Sequence, residues 1–195
     1  MRIRFPDSPV LLLPGVFENP HFLDPLGAVL RTSGRPVLRI PELLRNRATI
    51  HDTALTVRTF IEHADLEGIT IVAHSKGGLV GKQLMVWPET TSRITSMVAV
   101  ATPFRGSRYA RYTPTRVLRD FSPADATVRD LAANNLANER IVSVFGRLDP
   151  QIPDPGLLIG SRNVPLSTSG HFRILADRTL HRLLLEQLAA DRVTE

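Results

Sequence analysis

The chain has 195 residues, 43% of them hydrophobic and 22% charged, with 12 glycines, 15 prolines and no cysteine. A chain of this size buries roughly 70% of its unfolded surface and forms one domain without staples, which excludes a disordered tract, a disulfide scaffold, a thiol nucleophile and a cysteine-ligated metal centre. The formal charge of +5 comes from 24 basic and 19 acidic residues, and the only dense run is Arg105, Arg108, Arg111, Arg116 and Arg119, so no nucleic-acid partner is expected.

Arg2 and Arg4 imitate the start of a signal peptide, but Pro6, Asp7 and Pro14 interrupt the apolar stretch of roughly 7 to 15 residues that export requires. The longest apolar run, 10–13, is far short of the roughly 20 residues of a membrane span. A soluble, cytoplasmic protein is expected, with no stable membrane insertion.

Along the chain, apolar runs rich in Val, Ile and Leu recur at 10–13, 37–40, 69–73, 94–101, 141–145 and 157–159. They read as six strands. Their nearly continuous apolar character suits a parallel sheet covered on both faces. Helical spacing fills the intervening segments: Asp24-Pro25 as N-cap and first position before Leu26, Val29 and Leu30, with Gly34 as the stop; Thr49 and Asp52 as a capping box before Leu55, Val57, Phe60 and Ile61; Ser122-Pro123-Ala124-Asp125 before Val128, Leu131 and Leu136; and, after the sixth run, a last helix near 172–189 with Leu180, Leu183, Leu184 and Leu188 on one face. The predicted fold is a three-layer α/β/α, doubly wound, mostly parallel sheet of about six strands, with ligands at the carboxyl ends of the strands. The whole chain, 1–195, reads as one domain. Segment 103–123 has little periodicity and mixes Phe104, Tyr109, Tyr112 and Phe121 with arginines, so it is expected to act as a short lid or cap. Phe104, Tyr109 and Tyr112 are the candidate substrate-binding residues.

The third strand runs directly into Ser75-Lys76-Gly77-Gly78 and a helix. A serine at such a turn, with small residues two before and two after (Ala73 and Gly77), has the pattern of a nucleophile elbow. Walker A spacing fails because Gly77 and Gly81 are four apart and Gln83 follows Lys82; no G-x-G-x-x-G or H-E-x-x-H occurs, and His21, His51, His63 and His181 stand alone. No cofactor or metal is expected. A serine nucleophile needs an imidazole base and a carboxylate to orient it. Asp149, in the turn after the fifth strand, and His171, ahead of the last helix, supply both, with Asp154 as the weaker rival acid. An oxyanion would be met by the backbone N–H of Lys76 and that of Val16 or Phe17, with Gly15 permitting close approach.

Taken together, Leu11-Leu12-Leu13-Pro14-Gly15, Ala73-His74-Ser75-Lys76-Gly77-Gly78, Ala101 to Ser107, the Gly146 to Pro153 turn and Gly170-His171 resemble the α/β-hydrolase superfamily, in its small serine lipase or esterase form. The resemblance spans residues 9–189. It implies that the Thr-Pro-x-x-Gly-Ser stretch borders an acyl site and that His74 is not catalytic. Three features depart from the family pattern: Pro14 replaces a usual histidine, Lys76 stands where an apolar or amide residue is common, and no antiparallel hairpin precedes the first strand. Lys76 is expected either near the acyl pocket or in solvent. The implied activity is hydrolysis of small-molecule or lipid carboxylic esters through an acyl-enzyme, with contact to a lipid surface compatible with the arginine-rich segment. Thioesterase, amidase or cofactor-free peroxidase chemistry on the same triad, or a catalytically silent binding protein, are the alternatives.

Overall fold

A computed structural model describes residues 8–112, 115–152 and 156–193. Six strands, β1 (Val10–Leu13), β2 (Val37–Leu38), β3 (Ile69–His74), β4 (Ile94–Val100), β5 (Ile141–Gly146) and β6 (Arg162–Leu166), form one sheet in the order β2-β1-β3-β4-β5-β6. Every pairing is parallel, with Leu13 opposite Ala73, His74 opposite Val100 and Gly146 opposite Leu166 at the carboxyl ends.

The strands are apolar throughout because alternate residues enter two separate cores. Leu11, Leu13, Ile71, Ala73, Met97 and Ala99 face one side, where they meet α2 (Ile50–His63), α3 (Lys76–Val86) and, farther along the sheet, α5 (Ala126–Ala133). Val10, Leu12, Val72, Val98 and Val100 face the other, against α1 (Asp24–Arg31) and α6 (Arg178–Val193). These are the expected three layers. A short helix, α4 (Arg116–Arg119), lies within the 103–123 segment. No helix among the described residues is long and apolar enough to cross a membrane.

Local signals explain where elements begin, and four boundaries differ from expectation. Thr49 Oγ1 accepts from the Asp52 N–H at 3.0 Å and caps α2 as its spacing implies. The cap of α5 is Asp125, whose Oδ1 accepts from Val128 N–H, while Ser122 only tightens the preceding turn through Ala124 N–H. Leu136 falls beyond that helix. At α1, Asp24 stands inside the helix and pairs with Arg39 instead of capping. The sixth strand is also displaced, from 157–159 to Arg162–Leu166, because Asn163 closes a turn by bonding both the N–H and the carbonyl of Leu158. Ile159 is consequently 81% exposed. As an edge strand, β6 tolerates Pro165 and has one half-open face, so it lacks a continuous apolar run. Finally, a 3₁₀ turn at Arg173–Ala176 delays α6, which starts where Asp177 Oδ1 accepts from Thr179 N–H.

Candidate active site

The carboxyl ends of β1, β3, β4 and β5 converge on one cavity of about 610 Å³. Ser75 follows β3 directly and has φ 51° and ψ −119°, a left-handed conformation costly for a residue with a side chain. Neighbouring strands hold it there: Ser75 N–H donates to Val100 O at 2.9 Å, and Thr102 Oγ1 donates to Ser75 O at 3.0 Å. Glycine is needed on the helix side of the turn. A Cβ on Gly77 would lie 2.8 Å from the carbonyl carbon of Leu13, and one on Gly78 2.6 Å from the methyl group of Thr102. The elbow therefore brings α3 against both β1 and the loop after β4.

Asp149 and His171 arrive from the loops after β5 and β6. Those loops are tied by Gly170 N–H to Leu148 O at 2.7 Å and Arg147 N–H to Thr168 O at 3.1 Å. His171 Nδ1 lies 2.7 Å from Asp149 Oδ2, and both side chains are largely buried. The second carboxylate oxygen accepts from the N–H groups of Gln151 and Ile152. Burial pushes the Asp149 carboxyl up, but the His171 hydrogen bond and charge together with the two backbone donors outweigh it and hold the acid below its ordinary value. An ionised Asp149 accepts from Nδ1–H, which leaves Nε2 of a neutral ring as the acceptor. Ser75 and His171 both line the cavity, although no hydrogen bond joins them among the described residues. Such bonds are often long in free enzymes and tighten when substrate binds. Asp154 lies outside the described residues.

Val16 and Phe17 line the same cavity, and Phe17 has φ 64° in the turn after β1. Their N–H groups have no acceptor among the described residues, nor has that of Lys76 at the start of α3. The Lys76 side chain corrects both expectations for it. It runs beneath the elbow, away from cavity and solvent, and its Nζ sits among Asn46 O, Asn46 Oδ1, Ala48 O and Thr53 Oγ1 at 2.7 to 3.0 Å. Burial brings its pKa down to about 7, with Asp120 and Asp52 opposing the shift. Asn46 Nδ2 also donates to Pro14 O at 2.8 Å, so this amide links the lysine to the turn after β1.

Of the three candidate substrate-binding residues only Tyr109 lines the cavity. Phe104 is instead buried in the core below it, and Tyr112 is 72% exposed and does not line it. Ala110, Leu118 and Phe121 complete this wall, which is pinned by Ser107 N–H to Phe121 O at 2.7 Å. Sequence reasoning missed Glu18. It is buried at the cavity edge, with Oε1 2.7 Å from His74 Nδ1 and Oε2 accepting from Gly15 N–H at 2.5 Å. Nothing local marks a lone acid in a loop whose partner is 56 residues away.

No protein-family model and no curated protein matches the chain by sequence. Solved structures do match by shape. A candidate non-heme bromoperoxidase from Mycobacterium tuberculosis H37Rv superposes with a TM-score of 0.77 at 15% identity, over 96% of this chain and 94% of that one. The chain has the α/β-hydrolase fold. A monoacylglycerol lipase from Paleococcus ferrophilus (TM-score 0.66, 15% identity, 94% of each chain) shares it. So does a structure from the ammonia-oxidizing thaumarchaeon Nitrososphaera gargenis, from work on its carboxylesterases (TM-score 0.67, 14% identity, 98% of this chain and 93% of that one). In this α/β-hydrolase sheet the cavity lies beyond the carboxyl ends of the strands, where parallel α/β sheets bind their ligands.

Proposed function

We propose that the chain is a serine hydrolase acting on carboxylic esters. The observation that carries this reading is Ser75 held at a left-handed elbow on the wall of a cavity that also receives His171, itself bonded to Asp149. In this reading Ser75 Oγ attacks the ester carbonyl as His171 Nε2 takes its proton. The backbone N–H of Lys76 and that of Val16 or Phe17 bind the developing oxyanion. His171 then protonates the departing alcohol, and water repeats the sequence on the acyl-enzyme. Asp149 keeps the imidazole in the required tautomer throughout. The largely apolar cavity wall, with Leu118, Phe121 and Ile152, supports an uncharged acyl group. Residues 103–123 serve as the cover that selects it.

A soluble p-nitrophenyl ester and an alkyl phosphonate test the reading. Ser75→Ala is expected to abolish turnover in a folded protein, and the phosphonate is expected to label Ser75 alone. Turnover retained by folded Ser75→Ala would overturn it.

A further inference from the structure

We infer that Glu18 and His74 are a positioning pair that ties the oxyanion turn to the loop of the general base. The inference rests on the serine-hydrolase reading and adds two residues to it. Every polar atom of both side chains is engaged. Glu18 Oε2 takes the N–H of Gly15, and Oε1 lies 2.7 Å from His74 Nδ1. On the far side of the ring, Nε2 lies 3.1 Å from the carbonyl oxygen of His171.

The chemistry of these atoms fixes where protons sit. A carbonyl only accepts, so His74 Nε2 carries a hydrogen and donates to His171 O. The 2.7 Å contact between Nδ1 and Oε1 needs one further proton, carried by the ring or the acid. With both protons present, one continuous chain runs from Gly15 N–H through Glu18 and His74 to the backbone of the base.

The surroundings make this chain stiff. His74 is fully buried, its ring centroid 4.8 Å from that of His171, 5.7 Å from Phe172 and 6.1 Å from Phe22. At the other end, a Cβ at position 15 would lie 2.7 Å from Glu18 Oε1 and 3.0 Å from Ser75 Cβ, so a side chain there would push the Glu18 carboxylate from its place. The Gly15 to Glu18 turn is closed by Glu18 N–H to Gly15 O at 3.4 Å, and the N–H groups of Val16 and Phe17 have no acceptor among the described residues. Glu18 thereby shapes the oxyanion turn, and His74 conveys that position to His171. A side chain that merely filled space would not need both of its ends bonded to opposite halves of the machinery.

The conservative variant separates positioning from packing. In Glu18→Gln the amide oxygen replaces Oε2 toward Gly15 and the amide nitrogen donates to His74 Nδ1, so both bonds survive; in Glu18→Ala neither does. On a soluble p-nitrophenyl ester, Glu18→Ala is expected to lose about 10²- to 10³-fold in kcat, the scale of one oxyanion donor, with KM within about 3-fold. Glu18→Gln is expected to recover most of that loss, to within about 5-fold of wild type. NMR of ¹⁵N-histidine-labelled wild-type protein should show a protected Nε2–H on His74. Folded Glu18→Ala with wild-type kcat, Glu18→Gln as impaired as Glu18→Ala, or the absence of that protected proton would each overturn the inference. If Glu18→Ala fails to fold, Glu18→Gln and the wild-type spectrum still decide. Phosphonate labelling of Ser75 keeps the two readings apart. Normal labelling with inert Glu18 variants sinks only this inference, whereas unlabelled wild type sinks the serine-hydrolase reading itself.

Discussion

The cavity has two unlike sides. Its floor, formed by the turn after β1 and the elbow after β3, is a web of short hydrogen bonds in which Glu18 joins Gly15 to His74, Asn46 joins Lys76 to Pro14, and Ser75 is held by Val100 and Thr102. Its outer wall, from the described residues of 103–123, presents Tyr109, Ala110, Leu118 and Phe121 on a 3₁₀ turn and one short helix, with Ser107 N–H bonded to Phe121 O. The two lysines repeat the contrast. Lys76 under the floor meets four oxygens, whereas Lys82, behind the wall and 5.8 Å from the Phe104 ring, is fully buried with no hydrogen-bond partner for its amine among the described residues. In the proposed function, chemistry that depends on tenths of an ångström belongs to the bonded side, and selection among apolar groups to the other.

The strongest challenge to that division is on the acid. Asp149→Asn should lower kcat by about 10⁴-fold with little change in KM, by analogy with the loss of tautomer control in a serine protease. Stopped assays on a short ester would read it, and a loss confined to KM would contradict the role proposed for Asp149 in orienting His171 over that floor. Gly77→Ala comes next. Its Cβ meets the backbone of Leu13, which cannot yield without moving the turn after β1 that is proposed to bind the oxyanion, so kcat should fall about 100-fold while the protein stays folded.

Substitutions in the wall should act on substrate choice instead. Tyr109→Ser is expected to cost about 3- to 10-fold in kcat/KM on long acyl esters and nothing on acetate esters, whereas Tyr112→Ser changes neither; an apolar contact is worth roughly that much. Equal losses on short and long esters would erase the distinction between the two sides.

The smallest effect concerns stability. Burial brings Lys82 down to about 8 and Lys76 to about 7, both from 10.5. Between those values and 10.5 the unfolded chain binds more protons than the folded one, so unfolding free energy should rise as pH increases from about 7 toward 10.5. The destabilisation is fully present below the folded values. Lys82→Met keeps the stem and removes the unpartnered amine, and should stabilise the protein by about 1 to 3 kcal/mol at pH 7 while flattening the pH slope. Urea unfolding at pH 7 and 9.5 measures both.

The parts legible in the sequence were those with a repeating or positional signal. The inner strands announce themselves because two covered faces leave no polar alternate residue, while β6, half open at the edge, does not. Ser75, Asp149 and His171 stand in loops after strands, where a parallel sheet puts ligands; Ser75 and His171 line one cavity, and Asp149 is bonded to His171 behind it. Aromatic content, by contrast, carries no direction. Phe104 and Tyr112 looked equivalent to Tyr109, yet one points into the core and the other into solvent. Glu18 and Asn46 gave no signal at all, because an isolated acid or amide acquires its role only from partners distant in the chain.

The burial of both lysines reaches beyond stability. They are the chain's only two ε-amines, so succinimidyl labels, aldehyde cross-linkers and acetyl donors find no lysine target on the native surface. Such reagents should report opening of the core around α3, the rate of lysine modification counting molecules that have transiently unfolded. Tethering the active protein to a resin or sensor is accordingly better done through its many arginines or its carboxylates than through amine coupling.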